Sequence, residues 1–239
     1  MPIHVQRFRD IPDGLVSLVS SHLPYSIPLL RRLQFAKFHG ATTEHARVVF
    51  ASHSPWPQDA LEPPSSFSVS YVDVSGGPET QMWLYSTMEN GTAGGSVRTD
   101  SEEQLNAIVQ EIVQLKIEFG RECVYPGHVL LGTLHSGVRA VLEKSGRIYP
   151  RDTGDYDKWL FKIEELPTAE TPLPEDMVWG VASLQDCEVV VSRTNLPRKP
   201  ESLVQYPNLV IKLTDGTPVA WAFLGEPSPS REWTVAWQY

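Results

Sequence analysis

NLVIKLTDGTPVAWAFL, residues 208–224, reads as two apolar strands around a turn. Asp215-Gly216 between β-rich runs is the strongest short-range signal for a hairpin. In its second half Trp221 and Phe223 alternate with Ala220, Ala222 and Leu224, the period of a half-buried strand. Working upstream, MVWGVA from Met177 is a further strand. Ser183 and Asp186 have capping-box spacing for a helix running through Arg193. Leu196–Ser202 is a loop with prolines and cations. Downstream of Gly225, the tail EPSPSREWTVAWQY brings Trp233, Trp237 and Tyr239 but no core element. This part of the chain therefore reads strand, helix, strand, strand.

The stretch before it carries a longer series. Leu15, Val16, Leu18 and Val19 follow Asp13 as a first helix. Ser26 is placed to cap a second, with Pro28 in its first turn, where a missing N–H costs nothing. Ala46–His53 is β-branched and apolar, and a Pro-rich loop ends it. Phe67–Val74 puts Phe67, Val69 and Tyr71 on one face, and Glu79–Ser86 returns as its hairpin partner. A polar loop from Thr87 to Thr99 leads to the clearest helix, with Leu105, Ile108, Ile112, Leu115 and Phe119 on one stripe. Asp100 and Glu103 have capping-box spacing there, and Gly120 is the stop. A short strand at His128–Leu131, a helix at Leu134–Ser145 and a strand through Trp159, Phe161 and Ile163 complete the series.

Glu164–Asp176, with three prolines and five acids, reads as an interdomain linker. The expected organisation is a lobe over 1–166, a linker over 167–176 and a second lobe over 177–239. The 239 residues carry 29 acidic and 20 basic side chains, a formal charge of −9, which argues against sequence-independent nucleic-acid binding. The N-terminal residues Arg7, Arg9, Asp10 and Asp13 interrupt any secretory signal, and no window has the ~18 apolar residues of a membrane span. A soluble, cytoplasmic protein is expected, with Cys123 and Cys187 as reduced thiols. On that reading the Asn90-Gly91-Thr92 sequon is an accident of a polar loop.

Chemistry-bearing motifs are sparse. The seven histidines make no HxH, HExxH or HxxxH pattern, so no metal site is expected. There is no GxSxG elbow. The Gly-rich 87–100 segment lies between a strand and a helix start, where backbone N–H groups favour phosphate, but the acids Asp100, Glu102 and Glu103 oppose it. Arg193, Arg198 and Lys199 form the densest polar cluster of the second lobe and suit either a carboxylate or phosphate or a plain solvated loop.

The run SRTNLPRKPESLVQYPNLVIKLTDGTPVAWAFLG (192–225) resembles the glycine N-acyltransferase-like branch of the GNAT superfamily, particularly its fungal members. LPYSIPLLRRLQFAKF (23–38), SGGPETQMWLYSTME (75–89) and TGDYDKWLFKIEELP (153–167) resemble the N-terminal half of those proteins. The resemblance implies an α+β fold, with a GNAT-like mixed sheet flanked by helices in the N-terminal lobe and an incomplete second GNAT-like lobe, the front half of another copy. It also implies acyl transfer from acetyl-CoA or another acyl-CoA to a small-molecule or peptide amine, with no metal.

In that family a base removes the amine proton and backbone amides hold the diphosphate and the developing oxyanion. The diphosphate motif, R/Q-x-x-G-x-G/A, is absent; Arg151-Asp152-Thr153-Gly154-Asp155-Tyr156 lacks the final small residue. A C-terminally truncated or divergent relative with an impaired acyl-CoA site is expected. The resemblance places Arg193, Asn195 and Arg198 toward the acceptor; the general base is not identified. The competing expectation is a non-catalytic interaction protein that keeps the fold and forms a homodimer through an open sheet edge and the C-terminal tail.

Overall fold

The computed structural model describes residues 2–37, 41–56, 64–77, 79–91, 95–149, 172–194, 198–224 and 236–237. The chain divides into two compact units, Met1–Asp155 and Tyr156–Tyr239. The strand expected at Trp159–Ile163, the segment 151–156 and the linker up to residue 171 lie outside the described residues.

The first unit opens with strand β1 (His4–Phe8), which the sequence reading did not anticipate. HVQRF lacks a long apolar alternation, and its polar members have a tertiary use. Arg7 bonds both carboxylate oxygens of Glu118, at 2.8 and 2.7 Å, and also pairs with Glu111. Helices α1 (Leu15–Ser20) and α2 (Ile27–Phe35) follow, then β2 (Ala46–Ser52), β3 (Phe67–Asp73) and β4 (Met82–Ser86). The strands form one antiparallel sheet in the order β1-β2-β3-β4, with Val48 opposite Tyr71 and Val69 opposite Tyr85.

Alternation then assigns the two faces. Val48, Phe50, Phe67, Val69, Tyr71 and Tyr85 pack with Leu15, Val19, Leu29 and Leu33 of α1 and α2. Val49, Ala51, Val72, Met82 and Leu84 face the other way, toward α3 (Gly95–Phe119) and α4 (Ser136–Lys144). Leu105, Ile108, Ile112 and Leu115 of α3 supply the stripe that the sequence showed, and Gly120 at φ 57 ends the helix. With both faces covered, every residue of β3 is buried.

Three local expectations are corrected. Ser26 occupies the N-cap of α2, but its buried hydroxyl donates to the Val19 carbonyl (2.6 Å) at the end of α1, which also accepts the His22 N–H at 3.2 Å. Asp100 and Glu103 do not cap α3, because the helix has already begun at Gly95; Asp100 pairs instead with His53 at 3.2 Å. At His128–Leu131 the strand shrinks to a single parallel bridge between Leu131 and Met82. That bridge is secured by buried Gln81, whose backbone N–H donates to Leu130 O (2.9 Å) and whose Oε1 accepts Leu130 N–H (3.1 Å). The four-stranded sheet itself is antiparallel throughout, and this bridge lies outside its strands.

The second unit repeats the opening order on a smaller scale. Strand β5 (Met177–Gly180) precedes helices α5 (Leu184–Ser192) and α6 (Pro200–Leu203), then β6 (Asn208–Leu213), β7 (Pro218–Leu224) and β8 (Ala236–Trp237). The sheet order is β5-β6-β7-β8, all antiparallel. Two expectations change here. The Pro- and cation-bearing loop contains the short helix α6, with Pro200 in its first turn. The tail also returns to the sheet, with Trp237 opposite Phe223 and Ala236 opposite Leu224.

The β6–β7 hairpin forms as expected, through a three-residue loop. Leu213 N–H donates to Thr217 O (2.9 Å) and only Gly216, at φ 89, takes the left-handed conformation. Asp215 steadies it by accepting the Thr217 N–H at 2.9 Å; that bond holds its carboxyl below the usual range. Val210, Phe223, Cys187, Val190 and Leu203 make the core between α5, α6 and one sheet face.

Candidate functional site

At the carboxyl end of β4 the chain turns into a short 3₁₀ helix, Thr87–Asn90, before reaching α3. Ser86 and Glu89 form a reciprocal capping box, in which Glu89 Oε1 accepts the Ser86 N–H at 3.0 Å. Thr87 bonds both backbone groups of Phe67, each at 3.2 Å, which pins the turn to the end of β3. Gly91, at φ 72, then reverses the chain, a conformation open to glycine at no steric cost.

This turn collects polar groups far apart in sequence. The Tyr85 hydroxyl donates to Asn90 Oδ1 (2.8 Å), and Asn90 Nδ2 lies 2.8 Å from His22 Nδ1 at the end of α1. The His22 ring meets the Phe67 edge at 5.1 Å and Tyr85 at 5.6 Å between centroids. Burial pushes the Tyr85 hydroxyl well above its ordinary range and keeps it protonated. Burial also pushes His22 below the usual imidazole value, so the ring is neutral at pH 7. Asn90, read from sequence only as part of a chance sequon, is an internal connector. Nothing in the sequence could have linked it to His22 across 68 residues.

In the chain the 3₁₀ turn is followed by the start of α3 at Gly95, with residues 92–94 outside the described residues. The first N–H groups of a helix lack intrahelical partners and lie at its positive end. The first turn of α3 holds no acid, and Asp100 is paired with His53. The repulsion expected from Asp100, Glu102 and Glu103 is therefore displaced along the helix by more than a turn.

In the second unit the capping box at Ser183 is present as expected, and Lys212 joins it from β6. Asp186 accepts from Ser183 N–H (2.7 Å), Ser183 Oγ (2.7 Å) and Lys212 Nζ (2.5 Å). Burial raises the Asp186 carboxyl, but the Lys212 and Ser183 bonds outweigh it and leave it below its ordinary value. Arg193 follows α5 directly, donating from Nη1 to Pro218 O at 2.9 Å with its guanidinium 6.0 Å from the Trp221 ring centre. Arg198 is half-buried ahead of α6, and Asn195 lies outside the described residues. The described contacts give Arg193 and Arg198 no shared partner.

Both cysteines are free thiols. Cys123 is half-buried and accepts from Lys116 (2.9 Å); burial and then Asp186 push the Cys187 thiol up. Among the described residues no group of three or more His, Cys, Asp or Glu is arranged to hold a metal, and no helix is long and apolar enough to cross a membrane.

No curated protein matches the sequence. A family model does, over residues 2–159, and its span takes in the whole sheet of the first unit, α1 to α4 and the β4–α3 junction. With more than half of its length matched, the chain belongs to the family described as the acyl-CoA N-acyltransferase verG N-terminal domain.

Proposed function

We propose that the protein serves acyl transfer from a CoA thioester to an amine, with a weakened hold on the CoA diphosphate. The observation that carries this reading is the family model matched over residues 2–159, which takes in the sheet of the first unit and α1 to α4. What supports the weakening is that R/Q-x-x-G-x-G/A does not occur among these 239 residues. A cradle built from main-chain N–H groups needs close backbone approach, which that pattern of small residues supplies. Calorimetric titration with acetyl-CoA, run beside a transfer assay with mixed amines, tests both parts. Binding weaker than micromolar with slow transfer is expected. Tight binding with rapid turnover overturns the weakening, and no transfer to any amine overturns the transferase reading.

On the acceptor side the proposal keeps Arg193, Asn195 and Arg198 as contacts to the amine substrate. Arg198→Ala should raise the acceptor KM with little effect on folding; an unchanged KM removes Arg198 from the site. Arg193→Ala should also loosen α5 from β7, because its guanidinium already bonds Pro218 O.

A second reading, an interaction protein that keeps the fold, is favoured by the second sheet. Trp179 and Leu209 on its outer face are 58% and 47% exposed. For that reading we propose a homodimer that uses the sheet edge and the tail. Size-exclusion chromatography of the full chain and of a form lacking 226–239 separates the readings. A concentration-dependent dimer lost on deletion supports self-association, and a monomer in both forms opposes it.

A further inference from the structure

The Tyr85–Asn90–His22 chain has a direction. The Tyr85 hydroxyl donates to the amide oxygen of Asn90, and this presents the amide N–H₂ to His22 Nδ1. Nδ1 must therefore be an acceptor, and the neutral ring carries its proton on Nε2. Protonation of the ring puts a second N–H on Nδ1, facing the N–H₂ of Asn90. Two donors then meet head to head. The contact survives only if the Asn90 amide turns over and the Tyr85 hydroxyl changes from donor to acceptor.

The charged and titratable groups of the packed elements do not relieve this conflict. From β4 comes Tyr85, which burial holds neutral. The 3₁₀ turn brings Glu89, whose Oε1 accepts the Ser86 N–H within the capping box. From β3 comes the Phe67 ring, which offers only its edge contact. Among the described residues, burial is the cause of the displacement of His22.

We propose that His22 is a proton-operated fastener: neutral, it ties the end of α1 to the turn Thr87–Asn90 at the β4–α3 junction, and protonated, it lets that turn go. The fastener stands on the hydrogen-bond chain and does not rest on the function proposed above. Its test uses no CoA, so a failure of the transferase reading leaves it standing.

Nitrogen-15 NMR of the histidine rings in the full-length protein, followed from neutral to acidic pH, reads the state directly. The expected result is an Nε2–H tautomer at neutral pH and a His22 midpoint below the 6.5 of an ordinary imidazole. The backbone amides of 87–91 should shift with the same midpoint. Asn90→Asp replaces the facing N–H₂ by a carboxylate, so His22 should switch to the Nδ1–H tautomer and its midpoint should rise. Should that variant not fold, Tyr85→Phe frees the amide to turn over, and the His22 midpoint should move up toward 6.5. An Nδ1–H tautomer in the wild-type protein, a titration that leaves 87–91 unmoved, or an unchanged midpoint in Tyr85→Phe overturns the proposal.

Discussion

The two units of this chain share one plan and differ in how it is finished. Each runs strand, two helices, then three strands, and each sheet has its strands in chain order. In the first unit both faces are covered, by α1 with α2 and by α3 with α4, and β2 and β3 are almost wholly buried. In the second, α5 and α6 cover one face, while Met177, Trp179, Leu209, Ile211 and Leu213 of the other are half-exposed or exposed. The order of elements thus specifies a sheet, but the depth of its core depends on whether a long amphipathic helix lies across the second face. Hydrophobic stabilisation follows the area removed from water and not the topology.

The contrast can be broken by mutation, and the largest effect belongs to α3. Leu105 is fully buried between α3 and the sheet. Leu105→Ala should cost about 2–5 kcal/mol in denaturant unfolding, through lost transfer energy and the cavity left behind. Leu209→Ala, on the open face of the second sheet, should cost less than about 0.5 kcal/mol. Equal losses at the two positions would erase the difference between the units.

The second unit compensates for its thin core with polar fastenings, and the next effects test these. Lys212→Met removes the ammonium from Asp186, which is only 6% exposed, and should cost about 1–3 kcal/mol. The pH dependence has a definite sign. Asp186 is lowered in the folded state, so its contribution is present above the ordinary carboxylate value of 3.8 and is lost as pH falls through the lowered one. The gap between wild type and Lys212→Met should therefore close in acid. A constant gap down to low pH would show that the lost stability came from packing of the lysine stem and not from charge. Smaller again, Ser183→Ala removes a cap from α5 and should cost about 1 kcal/mol. Rescue by Ser183→Thr would sharpen the assignment, because its hydroxyl both accepts the Asp186 N–H and donates to the Asp186 carboxylate.

What was legible in the sequence was local. The stripe of α3, the Ser183–Asp186 box, the Asp215-Gly216 hairpin and the glycine stop at 120 depend on residues within a few positions of one another, and each stands in the structure. β1 was missed because its arginine answers to Glu118, 111 residues away. β8 was missed because two residues carry no period of their own, only the edge of β7 to pair with. The start of α3 was misplaced because Asp100 offers good cap chemistry, yet His53 holds its side chain and the helix continues through it.

By itself the sequence determined the stripe of α3, the Ser183 cap and the β6–β7 hairpin, because hydrophobic period, caps and turns are short-range physics written into neighbouring residues. Only the tertiary structure decided that β4 ends in a polar junction joining Tyr85, Asn90 and His22, and that among the described residues one sheet is covered on both faces and the other on one. Those outcomes depend on which distant donors, acceptors and apolar surfaces the folded backbone brings within reach, and a linear pattern does not encode that proximity.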